Sequence, residues 1–279
     1  MVEKVQFDKR PYLELLKLHL IDLHRVGVVD YSPLKENDFN LFQKIFLRFC
    51  KAVFPGDLAL CKKQLINQGN RVEGKDWPTH AYSMVGLKRL NNVEYCIRKV
   101  IADGVEGDLI ETGVWKGGTV IFMRAILEEL RITDRTVWVA DSFRGLPKPD
   151  PKRYPADKND RLFSMKELAI DLETVKSNFR FFNLLDDKVQ FIQGWFKDSL
   201  PNAPIEKLAL LRLDGDMYES TMDALTNLYP KLSSGGFCIV DDFGAIPACK
   251  QAVDDYRERN GIKETMVEID WTGVFWRKA

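Results

Sequence analysis

The sequence predicts an α/β fold: a mostly parallel sheet of seven strands with helices on both faces, an antiparallel hairpin at its C-terminal edge and a helical cap ahead of it. Three observations predict this. From residue 105 onward, short apolar runs alternate with helical runs, the pattern of a sheet buried on both sides. A glycine-rich turn, Gly113-Val-Trp-Lys-Gly-Gly118, follows the first of these runs and leads into an apolar helix. The last two strand-like runs are too close together for a helical crossover, so they must pair antiparallel.

The N-terminal residues 1–104 read as the cap. Leu13, Leu16, Leu20 and Leu23 recur at helical spacing over 12–24, and Phe42, Ile45, Phe46 and Phe49 do so over 39–54, where Pro55-Gly56 stops the helix. Residues 67–80 mix Gly, Asn and charge and read as an irregular loop before a helix over 83–101. The second unit, 105–279, takes strands at 107–111, 136–141, 188–193, 208–213 and 236–241. Helices at 118–131, 166–178, 194–200, 220–232 and 248–259 lie between and after them, and the hairpin occupies 264–269 and 273–277. The longest loop, 142–163, carries four prolines and many charges, and is expected to be a mobile lid.

Composition narrows the partners. Lys plus Arg and Asp plus Glu number 41 each, so no net field favours nucleic acid or an anionic membrane surface, and any substrate must be recognised locally. No apolar run approaches the length of a membrane span, and the five cysteines show no C-x-x-C spacing. A cytoplasmic protein with reduced thiols is the expectation, with homo-oligomerisation through the N-terminal helices.

The chemistry sits at the ends of the strands. The spacing G-x-x-x-G-G is neither the G-x-G-x-x-G of dinucleotide enzymes nor a P-loop, so nicotinamide and ATP are disfavoured. Glu111 before the turn and Asp141 at the end of the next strand place two carboxylates where an amino group and a ribose could be gripped, which suits S-adenosylmethionine. Two acidic motifs follow, Leu213-Asp-Gly-Asp-Met-Tyr218 and Val240-Asp-Asp242. Parallel strands end on one rim, so Asp214, Asp216, Asp241 and Asp242 converge there, and carboxylates so close need something positive among them. Asp214, Asp241 and Asp242 offer oxygen ligands to a hard cation, Mg²⁺ first, whereas zinc would call for His or Cys. Aspartates at strand ends also cap helices, but the adjacent pair Asp241-Asp242 exceeds what one cap requires.

Taken together, the glycine turn, Val139-Ala-Asp-Ser-Phe-Arg-Gly-Leu-Pro147, Gln193-Gly-Trp-Phe196 and the two acidic motifs resemble the macrocin O-methyltransferase family from about Asp76 to the C-terminus. The resemblance implies a Rossmann-like methyltransferase fold and methyl transfer from S-adenosylmethionine to a sugar hydroxyl. It implies that Glu111, Gly113, Val114, Trp115, Gly117, Gly118 and Thr119 surround the methionine end, Asp141 and Ser142 the ribose, and Gly194 and Trp195 the adenine, with Ser83 and Met84 as further contacts. It also implies Mg²⁺ on Asp214, Asp241 and Asp242. Such chemistry needs a hydroxyl that is both positioned and deprotonated, and Asp214 is the expected proton acceptor. Catechol-type enzymes often carry lysine three residues after the first aspartate, where this chain has Met217. A metal-dependent hydrolase and a phenol methyltransferase are the alternatives.

Overall fold

The computed structural model describes residues 11–25, 29–33, 39–54, 61–65 and 67–279. Seven strands form the main sheet: β3 (Asp108–Thr112), β4 (Val137–Asp141), β5 (Val189–Gln193), β6 (Leu208–Leu213), β7 (Leu232–Val240), β8 (Val267–Glu268) and β9 (Val274–Arg277), in the order β5-β4-β3-β6-β7-β9-β8. The first five are parallel, and β9 pairs antiparallel with both β7 and β8. Chain order reverses between β3 and β6, so their C-terminal ends flank the crevice where α/β sheets bind ligands.

Alternation along the strands divides the core in two. Leu109, Val137, Val139, Leu210 and Ile239 face the helices α1 (Pro11–Leu20), α4 (Leu87–Ala102) and α5 (Gly118–Glu129), whereas Ile110, Ala140, Leu211, Leu213 and Val240 face α8 (Tyr218–Leu228) and α9 (Pro247–Arg259). Every residue of β6 is buried, as befits the central strand. The glycine turn closes tightly on this frame. Gly113 has φ +83, and a β-carbon there would stand 1.8 Å from the Asp214 carbonyl oxygen, so only glycine lets β3 leave the sheet beside β6.

The N-terminal cap is not all helical. Two short strands, β1 (Val29–Pro33) and β2 (Cys61–Leu65), pair antiparallel on either side of α2 (Leu41–Val53). The segment Cys-Lys-Lys-Gln-Leu has no clear apolar alternation to mark it as a strand in the sequence. Pro55-Gly56 lies outside the described residues. A short helix, α3 (Gln68–Glu73), stands in the expected loop, capped by the Asn67 side chain and by Gly74 in the left-handed region. Helix α4 starts at Leu87 and not at residue 83, since the preceding backbone is committed elsewhere: Tyr82 and Ser83 donate to the Leu20 carbonyl, and buried Arg71 donates to Met84 O.

The expected helix over 166–178 is a single 3-10 turn, Lys166–Leu168, followed by α6 (Leu172–Phe181), whose N-terminus is capped by Asp171. The long loop before it is anchored. Asp157, 1% exposed, accepts the backbone N–H groups of Tyr218 and Glu219 at 2.7 and 3.0 Å and so caps α8, which has no side-chain cap of its own.

Candidate active site

Two adjoining cavities open along the C-terminal rim of the sheet. The first, with about 750 Å³ of empty space, is lined by Gly113, Asp141, Ser142, Leu146, Gly194, Trp195 and Phe196 among others. The second, about 910 Å³, holds Ser83, Glu111, Val114, Thr119, Asp241 and Asp242. Met84, Trp115, Leu168, Asp214 and Asp216 line both, so the cavities share a wall and form one trough. Most of the residues expected around the cofactor are therefore brought together. Gly117 and Gly118 are not on either lining: Gly117 packs near Val175, and a β-carbon on Gly118 would stand 2.6 Å from Ser83 Cβ and the Tyr82 backbone. Their part is close packing. Gly118 N–H donates to Tyr82 O, and the Ser83 and Thr119 hydroxyls lie 3.2 Å apart, which fixes the Ser83–Met84 segment against α5.

Asp141 and Ser142 are already engaged. The Asp141 carboxylate accepts from the N–H of Val114 at 2.8 Å and of Phe143 at 2.7 Å, tying the glycine turn to the end of β4. Burial pushes its pKa up against the pull of these hydrogen bonds. Ser142 donates to Gly145 O at 2.6 Å and accepts from Arg144 N–H, holding the start of the loop. Each carboxylate oxygen of Asp141 has lone pairs to spare for a ligand hydroxyl.

The acidic end is organised by two arginines that the sequence reading left without a role. Glu111 and Arg212 are register partners on β3 and β6, and period two places Asp241, just past β7, on the same face. Arg212, fully buried, donates from Nη1 to both Glu111 and Asp214 and from Nη2 to Asp241; its contact with Asp214 is 2.8 Å. Arg89 of α4 donates to the other oxygen of Asp241, to Asp270 at 3.0 Å and to Gly74 O at 3.2 Å. An arginine between two leucines of an otherwise apolar central strand is the sequence signal for Arg212, because so buried a cation requires carboxylate partners. Nothing in the sequence marks Arg89, whose carboxylate partners lie 152 and 181 residues away.

Two guanidinium groups do not balance the site. Glu111, Asp214, Asp216, Asp241, Asp242 and Asp270 lie about them. Burial, with Asp214 and Asp241 nearby, pushes Glu111 up to about 8 despite Arg212. Burial and then neighbouring aspartates raise Asp214, and raise Asp216 and Asp242 well above the ordinary carboxylate range. Within the acidic cluster two carboxylate oxygens, Glu111 Oε2 and Asp242 Oδ2, are buried without a hydrogen-bond partner among the described residues. Oxygens of Asp214, Asp241 and Asp242 come within 4.8 Å of one another, and Asp241 keeps lone pairs beyond those used by the arginines. This donor set fits a hard divalent cation, and the orphaned Glu111 oxygen fits an ammonium group.

A family model described as macrocin-O-methyltransferase (TylF) matches residues 9–278. The chain belongs to the macrocin-O-methyltransferase (TylF) family. It is similar to the Streptomyces olivaceus 8-demethyl-8-(2,3-dimethoxy-alpha-L-rhamnosyl)-tetracenomycin-C 4'-O-methyltransferase, 57% identical over 208 residues that cover 74% of this chain and 79% of that one. The Micromonospora griseorubida mycinamicin III 3''-O-methyltransferase is 52% identical over 212 residues, covering 75% and 83%. The structure of the O-methyltransferase NovP superposes with a TM-score of 0.83 at 42% identity, covering 98% of this chain and all of that one. The protein is thus an O-methyltransferase of the macrocin-O-methyltransferase family, on a fold that implies S-adenosylmethionine as methyl donor. Among the described residues, no helix is long and apolar enough to cross a membrane.

Proposed function

We propose that this O-methyltransferase methylates a hydroxyl on the sugar of a glycosylated small molecule or glycan, with Mg²⁺ held by Asp214, Asp241 and Asp242. The observation that carries the reading is the shared wall. Asp214 and Asp216 line both the cavity beside the glycine turn and the one containing the acidic cluster, so donor and acceptor would meet there. The named relatives act on a rhamnosyl tetracenomycin and on a mycinamicin, which supports a glycoside as acceptor.

In this reading Asp141, Ser142, Gly194 and Trp195 hold the nucleoside, and Glu111 Oε2 accepts from the amino group. Gly113, Val114, Trp115 and Thr119 shape the methionine end, Gly117 and Gly118 supporting them from behind. Bound S-adenosylmethionine supplies an electrophilic methyl, and a bound divalent cation lowers the pKa of a neighbouring hydroxyl. The chain supplies orientation, exclusion of water and a proton acceptor. Asp214, the acceptor expected from sequence, is hydrogen-bonded to Arg212. Asp216 has no hydrogen bond from the described residues, stands at left-handed φ +59 and lines both cavities, so it suits proton transfer better. Met217, where catechol-type enzymes place lysine, is fully buried, which disfavours that variant. Residues 1–104 then serve as cap and lid region to the catalytic unit 105–279. The buried thiols Cys96, Cys238 and Cys249 accord with a cytoplasmic enzyme.

The test is mass spectrometry of glycoside and phenol panels incubated with S-adenosylmethionine and Mg²⁺. One added methyl group on a sugar hydroxyl is expected; transfer to phenols alone would refute the sugar reading. Asp141→Ala should weaken S-adenosylhomocysteine binding by roughly ten- to hundredfold in calorimetry, the loss of a charge-assisted hydrogen bond. An unchanged affinity in the folded variant would remove Asp141 from the site.

Self-association through the N-terminal helices is part of the same reading. Helix α2 buries none of its residues and exposes Leu41, Phe42, Ile45, Phe46 and Phe49. Light scattering should find a dimer in the native enzyme and a monomer in Phe42→Glu/Phe46→Glu; a native monomer would overturn it.

A further inference from the structure

We propose that Trp77 and Trp271 form an aromatic wall against which the acceptor's sugar ring stacks. The proposal rests on the reading of a sugar acceptor given above, and it adds the place where that sugar lies. Both tryptophans line the cavity that holds the acidic cluster, and neither lines the cavity assigned to the nucleoside. They are 55% and 45% exposed, although tryptophan is among the more buried residues on average. Exposed aromatic area at the mouth of a cavity is the usual sign of a ligand surface.

Neither residue belongs to a loose surface segment. The Trp271 indole N–H donates to Glu73 O at 2.8 Å, and the Lys75 ammonium lies 5.8 Å from its ring centroid. Its turn is closed by Asp270, which accepts the N–H groups of Thr272 and Gly273, and Thr272 Oγ1 donates to the Asp241 carbonyl at 2.9 Å. On the other side, Trp77 follows Asp76, whose carboxylate pairs at 3.3 Å with fully buried Arg71. Arg89 joins the pieces: one guanidinium reaches Gly74 O in the Trp77 segment, Asp270 in the Trp271 turn, and the candidate metal ligand Asp241. The wall is therefore held in register with the acidic floor of the cavity.

The chemistry of a pyranose matches this division. Its hydroxyls project from the ring edge, while the ring faces present C–H groups that can pack on an indole. A ring lying on either tryptophan presents an edge hydroxyl to the carboxylates. The cofactor alone, seated beside the glycine turn, has no use for this wall.

The experiment compares the native enzyme with Trp77→Ala, Trp271→Ala, Trp77→Phe and Trp271→Phe. The probes are methyl and phenyl α-L-rhamnopyranoside, the same sugar without and with an aromatic aglycone. Either alanine change should raise KM for both glycosides roughly tenfold with kcat nearly unchanged, and phenylalanine should restore part of the loss. Saturation-transfer NMR on the methyl glycoside should lose its ring C–H signals in the alanine variants. S-adenosylhomocysteine affinity should stay at the native value; where an alanine variant loses it through misfolding, the phenylalanine variant decides the matter by the same KM criterion. Unchanged KM in folded variants overturns the proposal and leaves the sugar reading standing. Loss confined to the phenyl glycoside overturns it too, since the wall would then hold the aglycone. If the native enzyme methylates phenols and no glycoside of either kind, the sugar reading itself has failed.

Discussion

Replacing Asp216 by Asn should lower kcat by about 10²- to 10⁴-fold, the usual contribution of a positioned general base, with little change in S-adenosylhomocysteine affinity. The expectation follows from how the two aspartates of the Asp214-Gly-Asp216 motif are held. Asp214 shares Arg212 with Glu111 and Asp241, and a carboxylate stabilised by a guanidinium is a weaker base. Asp216 lacks such a partner among the described residues, and burial and nearby negative charge raise its proton affinity. Asparagine keeps its shape and removes its charge together with its ability to take a proton. Asp214→Asn should act differently, weakening Mg²⁺ binding as well as turnover, because that residue is assigned as a ligand. Single-turnover measurements at saturating cofactor and metal separate the two effects. An Asp216→Asn enzyme with native kcat would return the role of base to Asp214 or to a group on the acceptor.

The sheet was legible because each of its strands carries a local signal. Runs such as Leu208–Leu213 and Phe237-Cys-Ile-Val240 are short and apolar and read as buried strands, and acids placed at their ends read as a rim. The candidate site was legible to the same extent, since Glu111, Asp141, Asp214 and the Asp241-Asp242 pair each lie at or just past the end of a strand. What escaped was long-range. Arg89 lies on a helix face that reads as ordinary surface charge until α4 is laid against β7 and the C-terminal turn. Asp157 caps α8 from a loop about 60 residues earlier, where proline and charge suggested only mobility. The strands β1 and β2 carry no clear apolar alternation, so no local signal marked them. The clustered aspartates do have a positive partner in Arg212, which stands one residue before the Leu213-Asp-Gly-Asp motif and was left without a role.

That omission sharpens the test of the metal, because the arginines already neutralise part of the cluster. If they sufficed, chelation would do nothing. Six carboxylates, Asp270 included, around two guanidiniums leave negative charge uncompensated, which adds to burial in raising Asp214, Asp216 and Asp242, and Asp242 Oδ2 is buried without a hydrogen-bond partner among the described residues. Calorimetry of the metal-free enzyme should therefore register Mg²⁺ binding at one site per chain, with protons released as raised carboxylates ionise. EDTA should abolish methyl transfer, Mg²⁺ should restore it, and S-adenosylhomocysteine should still bind, since Asp141, Gly194 and Trp195 lie on the other cavity. Asp242→Asn should weaken Mg²⁺ by roughly ten- to hundredfold, because it keeps an oxygen and loses the charge. The fold should survive, for among the described residues Asp242 Oδ2 has no hydrogen-bond partner that its loss would strand. The result that would sink the assignment is full methyl transfer by exhaustively stripped enzyme with no heat of Mg²⁺ binding. The cluster would then be an arginine-held scaffold, and deprotonation of the acceptor would fall to Asp216 alone.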